Sequence, residues 1–293
     1  MKPIRGFVLY SIILFFCLNL YSQDKKYIQQ DYDFALYLIG NSLKEEAKAL
    51  VDDIDYESYF LNSGIVDSIN FLKGWILYSN KELVDASAFF EKVNQTSNLY
   101  TKANLYNAIS NAYIGDYKKS NQILNSFEDS IGQYKSMYNL QKAGLSLLER
   151  DFNSYNYYRS KFTYDNFAIS DQEKALEEIF NNFKSHKKKS PYMAGLLSSL
   201  IPGLGKVYAG SYGEGVSSFL LIGSLGAITA DNWIRNGLLN WKTIVFGTIG
   251  MVFYIGNIYG SISSVKIYYE DYNHKQNISI LYNIHIPLRT LFN

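Results

Sequence analysis

Two uncharged runs near the C-terminal end constrain this chain more than any other feature. Gly215–Ala230 reads GVSSFLLIGSLGAITA and Thr243–Val265 reads TIVFGTIGMVFYIGNIYGSISSV. The second run has 23 residues, enough at about 1.5 Å of rise per residue to cross a hydrocarbon core about 30 Å thick. The first, taken from Glu214 to Trp233, is just long enough. Trp233, Trp241, Tyr268 and Tyr269 stand near the ends of the runs, where aromatic rings settle at a membrane–water boundary. Gly223, Gly226, Gly247, Gly250, Gly256 and Gly260 permit close helix approach, and Gly256-Asn-Ile-Tyr-Gly260 has the small-xxx-small spacing of packed membrane helices. The alternative for such runs is a helix pair buried in a soluble core.

The remainder of the 293 residues is polar, so the length accommodates two regions of different character. Basic and acidic residues number 28 and 27. Without a concentrated basic face, nucleic acid is excluded as a partner class. The single cysteine, Cys17, lies in an N-terminal apolar stretch, so a processed chain would carry no thiol. Leu14-Phe15-Phe16 offers no small residue ahead of that cysteine, which argues against lipidation. His186, His274 and His285 lie at no metal-ligand spacing from one another. No cofactor or metal is expected. No nucleophile–base signature stands out either, so an enzyme is not expected.

The N-terminus has the layout of an export signal over residues 1–22. Lys2 and Arg5 precede an apolar stretch, Gly6–Phe16, and Ser22-Gln23 offers a cleavage point. An uncleaved anchor is the alternative. Residues 23–186 are expected to be helical repeats. The span lacks proline, and its apolar residues recur at three- and four-residue steps. KELVDASAFFEKV from Lys81, GDYKKSNQILNSF from Gly115 and ERDFNSYNYYRSKF from Glu149 align. Their equivalent positions are Leu83, Tyr117 and Phe152; Ala86, Ser120 and Tyr155; and Phe90, Leu124 and Arg159, the arginine departing from the apolar pattern. Gly74, Ala108 and Ala143 each stand 12 residues before the middle set.

The Gly115-Asp116-Tyr117 turn and these small residues resemble the tetratricopeptide repeat, over Ser68 to Phe162, without the proline that usually closes each repeat. A weaker pair spans Ala35 to Ile54. The resemblance implies an all-α solenoid whose concave groove binds a peptide or protein partner. Gly74, Ala86, Ala108, Gly115, Tyr117 and Ala143 would then be its packing residues. Stacking is required because one helix pair cannot bury its own apolar face. The expected last helix opens with Ser170-Asp-Gln-Glu173, a capping-box spacing, and carries an apolar stripe of Ala175, Leu176, Ile179, Phe180 and Phe183. Lysines from Lys184 to Lys189 suit the helix C-terminus and lipid phosphates alike.

Residues 187–273 are expected to form the membrane domain. Its entry, Pro202-Gly-Leu-Gly-Lys-Val-Tyr-Ala-Gly210, fails as an ATPase phosphate loop. Val207 follows Gly205-Lys206 where Ser or Thr is needed, and Leu200 takes the place of the first glycine. No βαβ unit surrounds it, so it is no dinucleotide fingerprint. Pro202, Gly203, Gly205, Tyr208 and Gly210, followed by two spans, resemble a group of bacterial paired-transmembrane-helix domains across Ser190 to Asn273. The resemblance implies membrane embedding and no agreed activity. A short half-buried helix over Tyr192–Leu200 should break at Pro202, return through the glycines, and place Lys206 and Tyr208 at headgroups. Whether the segment dips in and returns or crosses a third time stays open.

The tail, residues 274–293, alternates through Ile278, Ile280, Tyr282, Ile284 and Ile286. That pattern predicts a strand, with His285 on a solvated face. The strand could extend another protein's sheet, lie across the repeats, or stay disordered alone. Together these readings predict a cell-envelope scaffold in the bacterial inner membrane, its repeats on the periplasmic side and its ligand a protein or peptide. Arg235 and Lys242 between the runs favour a cytoplasmic loop, whereas Lys184–Lys189 pull against export of the repeats. The alternative function is a membrane-domain role in transport or membrane-protein assembly.

Overall fold

The computed structural model describes residues 28–53, 63–127 and 132–292. The expected signal, with Cys17, and Ile54 at the end of the early pair lie outside them. Among the described residues every regular element is helical. Residues 28–40 form α1. It is followed by α2 (Lys44–Asp52), α3 (Ser63–Ser79), α4 (Leu83–Glu91), α5 (Tyr100–Ile114), α6 (Tyr117–Ser126), α7 (Lys135–Leu148), α8 (Phe152–Arg159) and α9 (Ser170–Ser185). Then come α10 (Pro191–Leu200), α11 (Leu204–Ala209), α12 (Tyr212–Asn236) and α13 (Trp241–Phe292). The chain divides into two compact units. One runs to Glu178 and takes up the chain again at Ile280; the other is Ile179–Ser279.

In the first unit, helices pack as consecutive pairs, and the first helices of successive pairs, α3, α5 and α7, also touch. The repeat is written in the backbone as well as in the side chains. Ser42, Lys81, Gly115 and Arg150 all have positive φ, of 64°, 67°, 92° and 61°. Each ends the first helix of its pair with the same two hydrogen bonds. At the third pair, Gly115 N–H donates to Ala112 O at 3.1 Å and Asp116 N–H to Asn111 O at 3.0 Å. The corresponding donors elsewhere are Ser42 and Leu43, Lys81 and Glu82, and Arg150 and Asp151. This is the Schellman closure, which satisfies carbonyls that the helix end would otherwise leave unpaired. Asp116 and Asp151 then cap α6 and α8, accepting from Lys119 N–H and from Asn153 and Ser154 N–H.

Small residues set how closely paired helices approach. A Cβ on Gly74 would stand 2.7 Å from the ring of Phe90 on α4. Ala86, Ala108 and Ala143 are fully buried, and Ser120 Oγ donates to Ala108 O at 2.7 Å. Ala35 and Ala47, also fully buried, occupy the same two positions in the pair α1/α2, so the weak early pair has the geometry of the others. Tyr155 is fully buried where the other pairs carry Ala or Ser. Between α4 and α5, Ser87 Oγ donates to Asn107 Oδ1 at 2.7 Å, and Asn111 Nδ2 donates to both groups.

Two expectations are corrected here. The tail is the end of α13 and not a strand. Ile280, Ile284 and Leu288 are buried, whereas Ile278 and Tyr282 are 53% and 58% exposed. A period-two pattern contains an i, i+4, i+8 stripe, and that stripe packs on α7: a Cβ on Gly144 would meet Ile284 Cγ2 at 2.3 Å. No glycine or proline interrupts the chain from Gly260 to Pro287, so nothing stops the helix. The capping box at Ser170 does not form. Glu173, buried, instead accepts from Tyr164 N–H at 2.9 Å, closing the loop before α9. Burial raises its carboxyl above the usual carboxylate range.

The second unit holds α10–α12 and most of α13. Ser190 caps α10, accepting from Met193 N–H, and Pro191 occupies the first turn. Ile201 is extended, as a residue before proline should be. Gly210 N–H and Ser211 N–H donate to Val207 O and Lys206 O, so α11 ends on the closure seen in the repeats. Within the described residues, two helices are long and apolar enough to cross a bilayer, Tyr212–Asn236 and Trp241–Thr290. Only 6% and 11% of their most apolar windows are buried. A core helix of a soluble protein would be mostly covered.

Candidate functional site

The first helices of the pairs present aromatic residues to one side. Trp75 and Tyr78 are three residues apart on α3, and Tyr106 and Tyr113 are seven apart on α5, so each pair shares a helix face. Phe90 stacks on Tyr106 at 5.7 Å, and Tyr78 meets Tyr106 edge-on at 5.2 Å. The end of α13 lies against this face. His285 stacks on Tyr78 at 5.6 Å and meets Tyr113 edge-on at 5.9 Å. Tyr106 donates its hydroxyl to Leu288 O at 3.3 Å. Part of this aromatic face is therefore covered by the end of α13.

What remains is a hollow of about 740 Å³. Leu36, Ile39, Leu83, Trp75, Tyr78, Tyr106 and Tyr113 give it apolar walls; Lys44, Lys81, Arg289 and His285 bring the nitrogen groups. Burial raises Tyr106 to about 12 and moves Tyr78 and Tyr113 upward as well, so all three hydroxyls stay protonated. His285 moves the other way, lowered first by burial and then by the nearby Arg289 charge. Tyr78 hydroxyl and His285 Nδ1 form a hydrogen bond whose donor is set by the imidazole tautomer. The expected solvated His285 is thus corrected to a half-buried, hydrogen-bonded one. The tail's burial on α7 carries the ring inward.

The glycine segment in the other unit is a crossing point of helices. A Cβ on Gly205 would stand 1.9 Å from Ala194 O, and one on Gly203 would stand 2.0 Å from Gly215 O. Gly203 and Gly210 also have positive φ, of 85° and 106°. The two N–H groups a phosphate would need are taken: Gly203 N–H donates to Asn257 Oδ1 at 3.2 Å and Gly205 N–H to Ser198 Oγ at 2.9 Å. Ser198 and Ser261 hydroxyls join α10 to α13 at 2.6 Å. Pro202 begins the turn. Tyr208 accepts from Ser190 N–H at 3.0 Å. Lys206, with its side chain 18% exposed, donates to Ser218 Oγ at 3.1 Å and faces Glu214 at 3.8 Å. Both side chains, expected at headgroups, have partners within the unit.

Of the sequence-predicted residues, Gly74, Ala86, Ala108 and Ala143 lie between paired helices, Gly115 forms the turn, and Tyr117, half-buried, opens α6. None of these six lines the hollow. The hollow residues were missed, although the i, i+3 and i, i+7 aromatic spacings on α3 and α5 signalled them. Ser198, Asn257 and Ser261 were missed as partners of the glycines; polar side chains inside apolar helices were their signal. No cluster of metal-binding side chains occurs among the described residues. No family model, no curated protein and no solved structure matches this chain.

Proposed function

We propose that this chain is a membrane-anchored interaction scaffold of the bacterial envelope, its helical repeats binding a protein or peptide partner outside the inner membrane. The observation that carries the reading is the pairing, in one chain, of a helical-repeat unit with two helices whose apolar sides stay uncovered. Lipid is the solvent that removes the penalty of such exposure. Helices α10 and α11, with 10 and 6 residues, are too short to cross a core about 30 Å thick, which supports two crossings and a re-entrant entry segment. The tail supports the same count. Ile280–Leu288 belongs to the same unit as the chain before Glu178, and an even number of crossings allows that.

The partner surface lies on the repeats, on the faces that the tail leaves uncovered. Cross-linking of the full chain in intact cells, followed by membrane solubilisation and mass spectrometry, tests this. The expected result is a recurrent partner, lost when the repeats are deleted. Recovery of the chain alone, across cross-linkers of several lengths, overturns it. Alkaline phosphatase and fluorescent-protein fusions after residue 186 and at the C-terminus should report the same side, the periplasm.

One observation favours a second reading, transport or membrane-protein assembly by the membrane unit. Lys206 is a largely enclosed cation held by Ser218 and Glu214 against apolar helices, and such charges mark functional paths in membranes. Flux or insertion defects in Lys206→Met, with partner binding intact, would establish it.

A further inference from the structure

The hollow in the repeat unit has cations and no acid. Its walls carry Lys44, Lys81 and Arg289, and no carboxylate lines it among the described residues. No described residue forms an ion pair with any of the three. Lys44 lies 5.9 Å from the centre of the Trp75 ring. The Arg289 charge is felt by Tyr78, Tyr106 and His285. The walls beside these cations are aromatic and buried, with Tyr106 1% and Tyr78 8% exposed. A neutral His285, spent on Tyr78, adds no charge of its own.

Size and shape decide what such a hollow can hold. The tail helix already covers part of this face, through His285 on Tyr78 and Leu288 on Tyr106. The remaining volume, about 740 Å³, lies in the range of small-molecule sites, which run from about 300 to 1,000 Å³. Uncompensated guanidinium and ammonium groups at an apolar cleft favour one negative head. The aromatic and aliphatic walls favour a hydrocarbon body.

We propose that this hollow binds a free single-chain anionic amphiphile, such as an acyl carboxylate, with its head on Arg289, Lys44 and Lys81 and its chain against Trp75, Tyr78 and Tyr106. The site is separate from partner binding and stands or falls independently of it. Because the tail forms one wall, an occupied hollow bridges α3 and α5 to the end of α13. Binding therefore fastens the tail to the repeats.

The test uses the full chain in lipid nanodiscs with Trp233 and Trp241 replaced by Phe. Trp75 is then the only indole of the three, and its emission reports the hollow rather than the lipid. Decanoate, decanol and acetate are the probes. Decanoate should change the emission saturably, at an apparent affinity about tenfold or more above that of decanol, as expected for a charge-assisted contact; acetate should have no effect. Arg289→Gln, and separately Lys44→Gln with Lys81→Gln, should each weaken decanoate about tenfold and leave decanol unchanged. Ser79→Leu, which fills the hollow from its wall, should abolish both responses, with unchanged circular dichroism showing that the fold persists. Equal responses to decanoate and decanol overturn the proposal. So does a decanoate response that survives Arg289→Gln in a folded protein, or one that rises with lipid content without saturating.

Discussion

The two units are built from the same local parts and are inside-out relative to each other. Both end helices on left-handed residues with the same pair of hydrogen bonds, at Gly115 in the repeats and at Gly210 in the other unit. The largest fully buried side chains of the repeat unit are rings, Tyr106, Tyr138, Tyr155, Phe90 and Phe127. The second unit buries Ile179, Phe180 and Val265 but mostly small residues, Ala194, Gly195, Ser198, Gly203, Gly205, Ala209 and Ser261, and leaves Phe219, Leu220, Ile234, Met251 and Val252 exposed. Where water is the solvent, burial of apolar mass holds helices together. Where lipid is the solvent, that force is absent, and close backbone approach with a few buried polar contacts takes its place. Glycine serves turns in both units, at Gly115 and Gly210, and the difference lies in what its contacts meet: side chains at Gly74 and Gly144, backbone carbonyls at Gly203 and Gly205.

The largest expected effect comes from filling the contact at Gly205. Gly205→Val would drive its side chain into the backbone carbonyl of Ala194, 1.9 Å from the new Cβ, and a backbone atom has no rotamer by which to retreat. A loss of about 4 kcal/mol or more, in practice an unfolded second unit, is expected. Protease resistance in nanodiscs reads it. Gly223, with nothing within 4 Å of its Cβ, supplies the contrast. Gly223→Ala should be neutral or stabilising, since helix interiors favour alanine by about 1 kcal/mol. If both variants behave alike, the glycines of this unit are not contact residues.

The repeat unit should instead be sensitive to removal of mass. Ile284→Ala deletes a fully buried side chain between the tail and α7, with an expected cost of about 2–4 kcal/mol. Urea titration followed by Trp75 emission would measure it. A negligible cost would mean that the tail is an ornament on the repeat unit and not part of its core.

Gly115→Ala isolates the conformational role. Nothing lies within 4 Å of the added Cβ, so only the positive φ opposes it, at about 1 kcal/mol. This position also shows what the sequence could reveal. At Gly115-Asp116 a left-handed glycine and a capping aspartate announce the turn. Ser42, Lys81 and Arg150 adopt the same conformation without a glycine, and of these only Arg150 is followed by a capping aspartate, Asp151. The small residues at Gly74, Ala108 and Ala143 were visible because their period was. The tail was misread because alternation and a four-residue stripe share Ile280 and Ile284, and the choice between them depends on Gly144, more than a hundred residues earlier. The partners of Lys206 were not legible for a similar reason: Ser218 and Glu214 belong to the following helix and had no marked spacing from it. Periods and breakers are local and were legible. Which side chain meets which is decided by the fold, so the hollow and its cations were not.

The smallest effect is a pH dependence that belongs to the repeat unit alone. The folded His285 titrates below its unfolded value of about 6.5. Above that value both states are neutral and the contribution to stability is full. As pH falls through about 6.5 the unfolded chain takes up a proton that the folded chain refuses, so stability declines. The slope cannot exceed about 1.4 kcal/mol per pH unit for a single group. The groups facing the ring do not obscure it: Arg289 carries a guanidinium, and burial moves Tyr78 and Tyr113 upward, away from the window. Glu173 works in the opposite sense. Its raised folded pKa supplies stability below about 4.5 that is lost as pH rises, so the two trends partly cancel in the wild-type chain. His285→Gln keeps a side chain able to accept from Tyr78 while removing the titration. The difference between wild-type and variant urea midpoints should therefore shrink as pH drops from 7.5 to 5.5. A constant difference would mean that the ring is exposed to water in solution, and that the tail does not hold it against Tyr78.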